Sequence, residues 1–162
     1  MRLSPILGLA LLSLAAACSP QSATGGNTAP ASAPAAHPVS GLQVIPLTVT
    51  TPGKLHRFRV ELARSEEEQS KGLMFRTAMG ADEGMIFPMA PPRQAAFWMQ
   101  NTVIPLDIIF IGSDRRVLNI AANTVPYSEE QVPSVGAAAA VLELNGGRAA
   151  QLGIGPGDRV EW

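Results

Sequence analysis

Between Arg57 and Leu62 charged and apolar residues alternate without a break, with Phe58, Val60 and Leu62 on one side and Arg57, Arg59 and Glu61 on the other. A period of two is that of a strand with one covered face. The runs that follow keep to the same short length. Gly84-Met85-Ile86-Phe87 stops at Pro88, and Ala95 to Met99 forms a second apolar run. Leu106 to Ile111 and Val117 to Ala121 read as two strands around a hairpin at Gly112-Ser113-Asp114. Ala137 to Leu144 is a further strand, and Arg159 to Trp162 a last one after the turn Gly155-Pro156-Gly157-Asp158. Only two places suit a helix. Ser65 followed by Glu68 has capping-box spacing and predicts a helix over Ser65–Lys71 that stops at Gly72. The second is Arg148 to Leu152, closed by Gly153, with Asn145-Gly146-Gly147 as the turn into it. Many short strands with two minor helices predict one mostly β domain over residues 42–162, a compact antiparallel β-sandwich or small barrel with short peripheral helices.

The N-terminus follows another logic. Met1-Arg2 is a short positive start, and Leu3 to Ala17 is apolar but contains Pro5 and falls short of the roughly 20 residues that a spanning helix needs. It reads as a signal peptide, residues 1–17. Ala15-Ala16-Ala17 directly precede Cys18, the one cysteine of the chain. This resembles a bacterial lipobox, with Leu14 one place earlier than the usual leucine, and implies a lipid on Cys18. The alternative is an ordinary signal peptide cleaved near Ala17. A lone thiol in an oxidising compartment favours the lipid. Ser19 after it resembles the outer-membrane sorting pattern. The expectation is an exported protein on the periplasmic side of the envelope, bound to the membrane through its N-terminal lipid.

From residue 18 to 41 the chain is rich in Ala, Pro, Ser, Thr and Gly, and no charge occurs between Cys18 and Lys54. Such a composition predicts an extended, disordered tether with His37 as a solvated linker residue. In the domain beyond, the charges nearly cancel and form no basic stripe, which argues against nucleic acid as a partner. No sulfur-rich zinc site can form without cysteine. No Gly-x-Ser-x-Gly elbow, clustered histidines or phosphate-cradling glycine loop is present, so no cofactor is expected.

Five blocks in order resemble one family: Gly72-Leu73-Met74-Phe75-Arg76; Asp82 to Phe87; Phe97-Trp98-Met99-Gln100-Asn101-Thr102-Val103-Ile104-Pro105-Leu106-Asp107 and on to Ile111; Val141-Leu142-Glu143-Leu144-Asn145-Gly146-Gly147; and Leu152 to Asp158. They are similar to the family known as domain of unknown function 192. The resemblance covers the domain from about Phe58 and departs mainly over residues 127–138. It implies a compact, mostly β fold and, because members often begin with an export signal, export. It implies no activity, substrate or catalytic residue.

The chemistry is therefore read from the residues. Asp107 stands in an apolar strand where Leu106, Ile108 and Phe110 share one face and Asp107, Ile109 and Ile111 the other. A covered carboxylate needs a partner, here Arg76, the Asn101 amide or a nearby backbone N–H, or else it faces a cleft. The functional expectation is a pocket formed by Arg76, Glu83, Trp98, Asn101 and Asp107. Arg76 would grip a small anionic or polar ligand through its two-pronged guanidinium. The leading function is non-catalytic binding or an accessory role. A hydrolase-like or lyase-like enzyme using Asp107 and Glu83 is the alternative. Met74, Met79, Met85, Met89 and Met99 raise a third reading, Cu(I) binding, against which stands the use of methionine to fill an irregular core. His56 is expected to be a hydrogen-bonded bystander, and Glu143 an outward strand charge.

Overall fold

The computed structural model describes residues 35–162. The expected signal segment, Cys18 and most of the expected tether lie outside the described residues. Seven strands form one curled sheet: β1 (Val44–Thr51), β2 (Lys54–Leu62), β3 (Glu83–Phe97), β4 (Leu106–Ile111), β5 (Val117–Ala121), β6 (Val132–Asn145) and β7 (Arg159–Glu161). They are ordered β5-β4-β6-β3-β2-β1-β7, with α1 (Glu66–Lys71) and α2 (Arg148–Leu152) as short helices. The mostly β expectation holds, in the form of a half-barrel. One pairing departs from the antiparallel pattern: β2 and β3 run parallel. Parallel neighbours need a crossover, and residues 63–82 supply it and carry α1.

The two edges of the sheet meet at one end. Arg116 and Arg159 form an antiparallel bridge. The Val160 N–H donates to the Arg115 carbonyl at 2.8 Å and the Val117 N–H to the Asp158 carbonyl at 2.9 Å. The Arg115 guanidinium lies 3.6 Å from the centre of the Trp162 ring.

Alternation along the strands then makes two cores. Leu47 and Val49 of β1, Phe58 and Val60 of β2, Ile109 and Ile111 of β4 and Val160 of β7 belong to one cluster. Residues from both ends of the strand order can meet only inside the curl, so this is the concave face. Ala149 and Ile154, in and just after α2, join the same cluster. The convex face of β3, β6 and β4 presents Met85, Phe87, Val141, Ile108 and Phe110, covered by Leu73 and Met99 from the loops. Each large apolar side chain so buried contributes about 1.5–3 kcal/mol.

Two expectations about the strands need correction. Gly84–Phe87 and Ala95–Met99 are not separate runs, because β3 continues through Pro88, Pro91 and Pro92 with a register shift against β6 between Pro88 and Arg93. The prolines are tolerated because β2 pairs with β3 only as far as Ile86, so beyond that point one side of β3 has no ladder to break. The chain before Leu42 also packs on the domain from Ala36 onward. Ala36 bridges Gln43, and the His37 side chain, only 14% exposed, lies 3.6 Å from Glu61, so it is not a solvated linker residue. His56 is hydrogen-bonded, its Nε2 3.2 Å from the Thr51 hydroxyl.

Candidate functional site

The convex face of β6 carries an acid. Strand parity puts Glu143 on the same face as Val141, with Met85 of β3 and Ile108 of β4 as its in-register neighbours. Gly84 allows this close pairing, since a Cβ there would lie 2.5 Å from the Glu143 carbonyl oxygen. Glu143 is only 5% exposed, which overturns the expectation of an outward strand charge. Among the described residues its carboxyl group has no hydrogen-bond partner and no ion-pair partner. Burial pushes its pKa up from 4.5 to about 8.

Above Glu143 opens a cleft of about 620 Å³, within the range of small-ligand sites. Phe87, Phe97 and Trp98 form its aromatic wall, Leu73, Met74 and Met89 its aliphatic side, and Lys71 and Arg93 stand among its polar lining. Phe87 and Phe97 meet edge to face with ring centres 5.2 Å apart, and Phe97 meets Phe110 in the same way at 6.2 Å. This interlock holds the wall in place from the core side. Trp98, 45% exposed, points away from the buried Met99, as the alternation predicts.

Helix α1 brings Lys71, Gln69 and Glu66 to the cleft. It has no buried residue of its own, so its ends and its tethers fix it. The expected capping box is present: the Ser65 hydroxyl accepts from the Glu68 N–H at 3.1 Å, and the Glu68 carboxylate accepts from the Ser65 N–H at 2.8 Å. The Ser65 N–H and the Arg64 N–H, which also donates to this carboxylate at 2.6 Å, hold the Glu68 carboxyl below its ordinary pKa. The Gln69 amide donates to the Pro88 carbonyl at 2.8 Å and the Ala63 carbonyl at 3.2 Å, tying the helix to β3 and to the end of β2.

The five residues expected to share a pocket are spread over several places. Trp98 lines the cleft. Arg76 lies in an adjacent hollow of about 590 Å³ with Phe75 and Leu42. Its guanidinium is already engaged, donating to both oxygens of Glu61 at 2.8 and 3.0 Å in a buried pair that also receives the Ser40 hydroxyl. It is therefore neither the partner of Asp107 nor a free anion donor. Asn101 braces the loop: with φ of 54° its carbonyl accepts from the Phe75 N–H at 2.8 Å, and its amide reaches the Met74 sulfur at 3.8 Å. Glu83 closes the turn before β3 by accepting from the Gly80 N–H at 2.8 Å.

Asp107 sits on the concave side of β4, wholly buried. Its Oδ1 accepts from the Asn123 N–H at 2.7 Å and the Gly147 N–H at 2.8 Å, and its Oδ2 from the Ala149 N–H at 2.7 Å. Of the partners considered, backbone N–H groups are the ones found. The carboxylate caps α2 from across the sheet, where Gly147, at φ of 81°, has no side chain to do so. Asp107 and Glu83 stand on opposite faces of the sheet by strand parity, so they do not form an acid–base pair.

The methionines divide in a similar way. Met85, Met89 and Met99 are buried in the convex core with Met79 packed against it, and Met99 sulfur lies 3.0 Å from the Thr124 hydroxyl. Sequence reasoning passed over Glu143 because Val141-Leu142-Glu143-Leu144 looks like one polar position in an alternating strand. The available signal was the nearly unbroken apolar run from Ala137, which marks a strand covered on both faces.

Comparison with known proteins agrees with this architecture. A crystal structure of a protein of unknown function from Novosphingobium aromaticivorans is 66% identical, with a TM-score of 0.79, covering 82% of this chain and 94% of that one. A protein described as a candidate transcription regulator from Sinorhizobium meliloti is 40% identical, with a TM-score of 0.72, covering 74% of this chain and 94% of that one. No curated protein matches the chain. Residues 47–162 match the family domain of unknown function 192, described as Uncharacterized ACR. With that match over most of its length, the chain belongs to the domain of unknown function 192 family.

Proposed function

We propose that the chain is an exported, lipid-tethered binding domain whose small ligand occupies the cleft over Glu143. The observation that carries this reading is the carboxyl group itself: a buried acid without a partner costs stability, and this one, with none among the described residues, stands at a cleft of ligand size. A structural acid would have been given donors, as Asp107 was. The Asp107–Glu83 enzyme reading has no such support, because those two groups lie on opposite faces and both are engaged by backbone N–H groups. Nor do the methionines favour Cu(I), since three of the five are packed in the core. The transcription-regulator description of the Sinorhizobium protein is not carried over, because 12 Lys and Arg against 13 Asp and Glu leave no excess charge for a phosphate backbone.

Two experiments test the proposal. In the first, the full chain and its Glu143→Leu variant are screened by thermal shift against a library of small polar metabolites. Hits that stabilise the wild type and not the variant are expected, and an equal set of hits for both places the site elsewhere. In the second, cells are labelled with a clickable fatty acid. Label on the wild type and none on Cys18→Ser is expected from Ala15-Ala16-Ala17-Cys18, and equal label on both, or none on either, ends the lipid-anchor reading.

A further inference from the structure

The cleft is charged unevenly. At its floor is one acid with apolar neighbours in register on both sides, Met85 and Ile108. Phe87, Phe97 and Trp98 line the same cleft, and aromatic rings present negative faces to a cation. Toward solvent, Lys71 and Arg93 also line the cleft. Neither is in an ion pair among the described residues, whereas Arg76, Arg148 and Arg159 each have a carboxylate partner. Among the described residues the cleft thus holds one buried acid, Glu143, and two exposed cations without ion-pair partners, with the exposed carboxylate of Glu66 at its solvent edge.

Resting on the binding reading above, we propose that the ligand is a small amphoteric molecule, with an ammonium group seated on Glu143 between the aromatic rings and an acidic group held by Lys71 and Arg93. A simple amine would meet Lys71 and Arg93 on the way in and gain nothing from them. A simple acid held by Lys71 and Arg93 at the solvent side leaves Glu143 unanswered. A molecule carrying both charges at opposite ends satisfies all three protein groups. Because burial raises the carboxyl pKa to about 8, Glu143 is expected to carry a proton near neutral pH before the ligand binds. Entry of an ammonium group displaces it, and the proton leaves to solvent. No covalent bond changes.

The test uses three matched probes on the full chain by isothermal titration: para-(aminomethyl)benzoate, which carries both charges across one ring, and its two halves, benzylamine and benzoate. The amphoteric probe should bind at least about tenfold tighter than either half, which corresponds to about 1.4 kcal/mol. Glu143→Gln, nearly the same shape, should remove that advantage while leaving benzoate unchanged. Lys71→Ala with Arg93→Ala should weaken the amphoteric probe and leave benzylamine unchanged. Proton release on binding, read from buffers of different ionisation enthalpy, should be seen in the wild type and vanish in Glu143→Gln. If a half binds as well as the whole, or if none of the three binds, the amphoteric assignment is overturned. Library hits that still depend on Glu143 would then leave the binding reading standing, and their absence would remove both.

Discussion

Asp107 and Glu143 lie one residue out of register on neighbouring strands, Asp107 opposite Leu144 and Glu143 opposite Ile108, yet the protein treats them in opposite ways. Asp107 faces the concave core and receives three backbone N–H donors that join β4, the residues after β5 and the start of α2. Glu143 faces the convex core and receives none among the described residues. Both are buried carboxyl groups, so burial alone does not separate structure from function. The supply of donors does. A group whose hydrogen bonds are complete holds elements together, and one without donors among the described residues is where the binding proposal seats its ligand.

The sharpest way to break this comparison is to remove Asp107. Asp107→Ala orphans three backbone donors, each worth about 1–3 kcal/mol when buried, so a loss of roughly 5 kcal/mol in urea unfolding is expected. A loss below about 1 kcal/mol would mean that water replaces the carboxylate and that Asp107 is no more structural than Glu143.

Next in size is the third buried acid, Glu61, which is satisfied by Arg76. Arg76→Met leaves that carboxylate with the Ser40 hydroxyl but without its guanidinium, and breaking a buried pair from one side costs about 3–5 kcal/mol. Chemical denaturation should show a loss of that order. An unchanged midpoint would place Glu61 with Glu143, among buried acids that tolerate the lack of an arginine partner.

Glu143 itself should show the opposite sign. Its pKa is raised in the folded state, so the unfolded chain releases the proton near pH 4.5 and the folded chain only near pH 8. The wild type should lose stability as pH rises through that window, at up to about 1.4 kcal/mol for each unit. Glu143→Gln has no proton to lose. The two proteins should match at pH 4 and differ by a few kcal/mol at pH 8, the variant being the more stable. Parallel curves across the window would show that the carboxyl group finds solvation in the wild type.

The smallest effect concerns the rim. Ser65→Ala removes the cap of α1 and should cost about 1 kcal/mol, felt locally because the helix buries no residue. Hydrogen exchange at the Gln69 and Gly72 amides, which bond to Ser65 and Glu68 carbonyls at 2.9 and 2.8 Å, should quicken while β6 stays protected. Equal quickening in both would mean that α1 is part of the global unit.

The fold was largely legible because its strands advertise themselves by alternation and its turns by Gly, Pro and Asp. The two faces of β4 came out residue for residue, as did the capping box at Ser65. The long β3 was hidden by Pro88, Pro91 and Pro92, since proline counts against a strand unless one knows which of its sides is unpaired. β1 was hidden as well: Val44-Ile45-Pro46-Leu47-Thr48-Val49 sits behind a Pro-rich stretch and contains a proline of its own. At the site, Trp98 was found because its neighbours fixed its face. Glu143 was missed and Asp107 overrated for one reason, that a charge in an apolar strand looks the same whether or not the fold brings donors to it. Those donors come from 16 to 42 residues away in sequence, and local pattern does not reach that far.

The bridge between Arg116 and Arg159 bears on how such a domain behaves when crowded. An open sheet has two free margins whose unpaired N–H and C=O groups invite strands from other copies, the first step toward aggregates. Here β7 ends one margin after three residues and is stitched to the chain entering β5. The Asn119 side chain of β5 joins the backbone of β6 at Pro133 and Val135 at 3.1 and 3.0 Å, occupying groups that β6 leaves unpaired beyond its ladder with β4. The margin at β7 thus offers a foreign strand little ladder to extend.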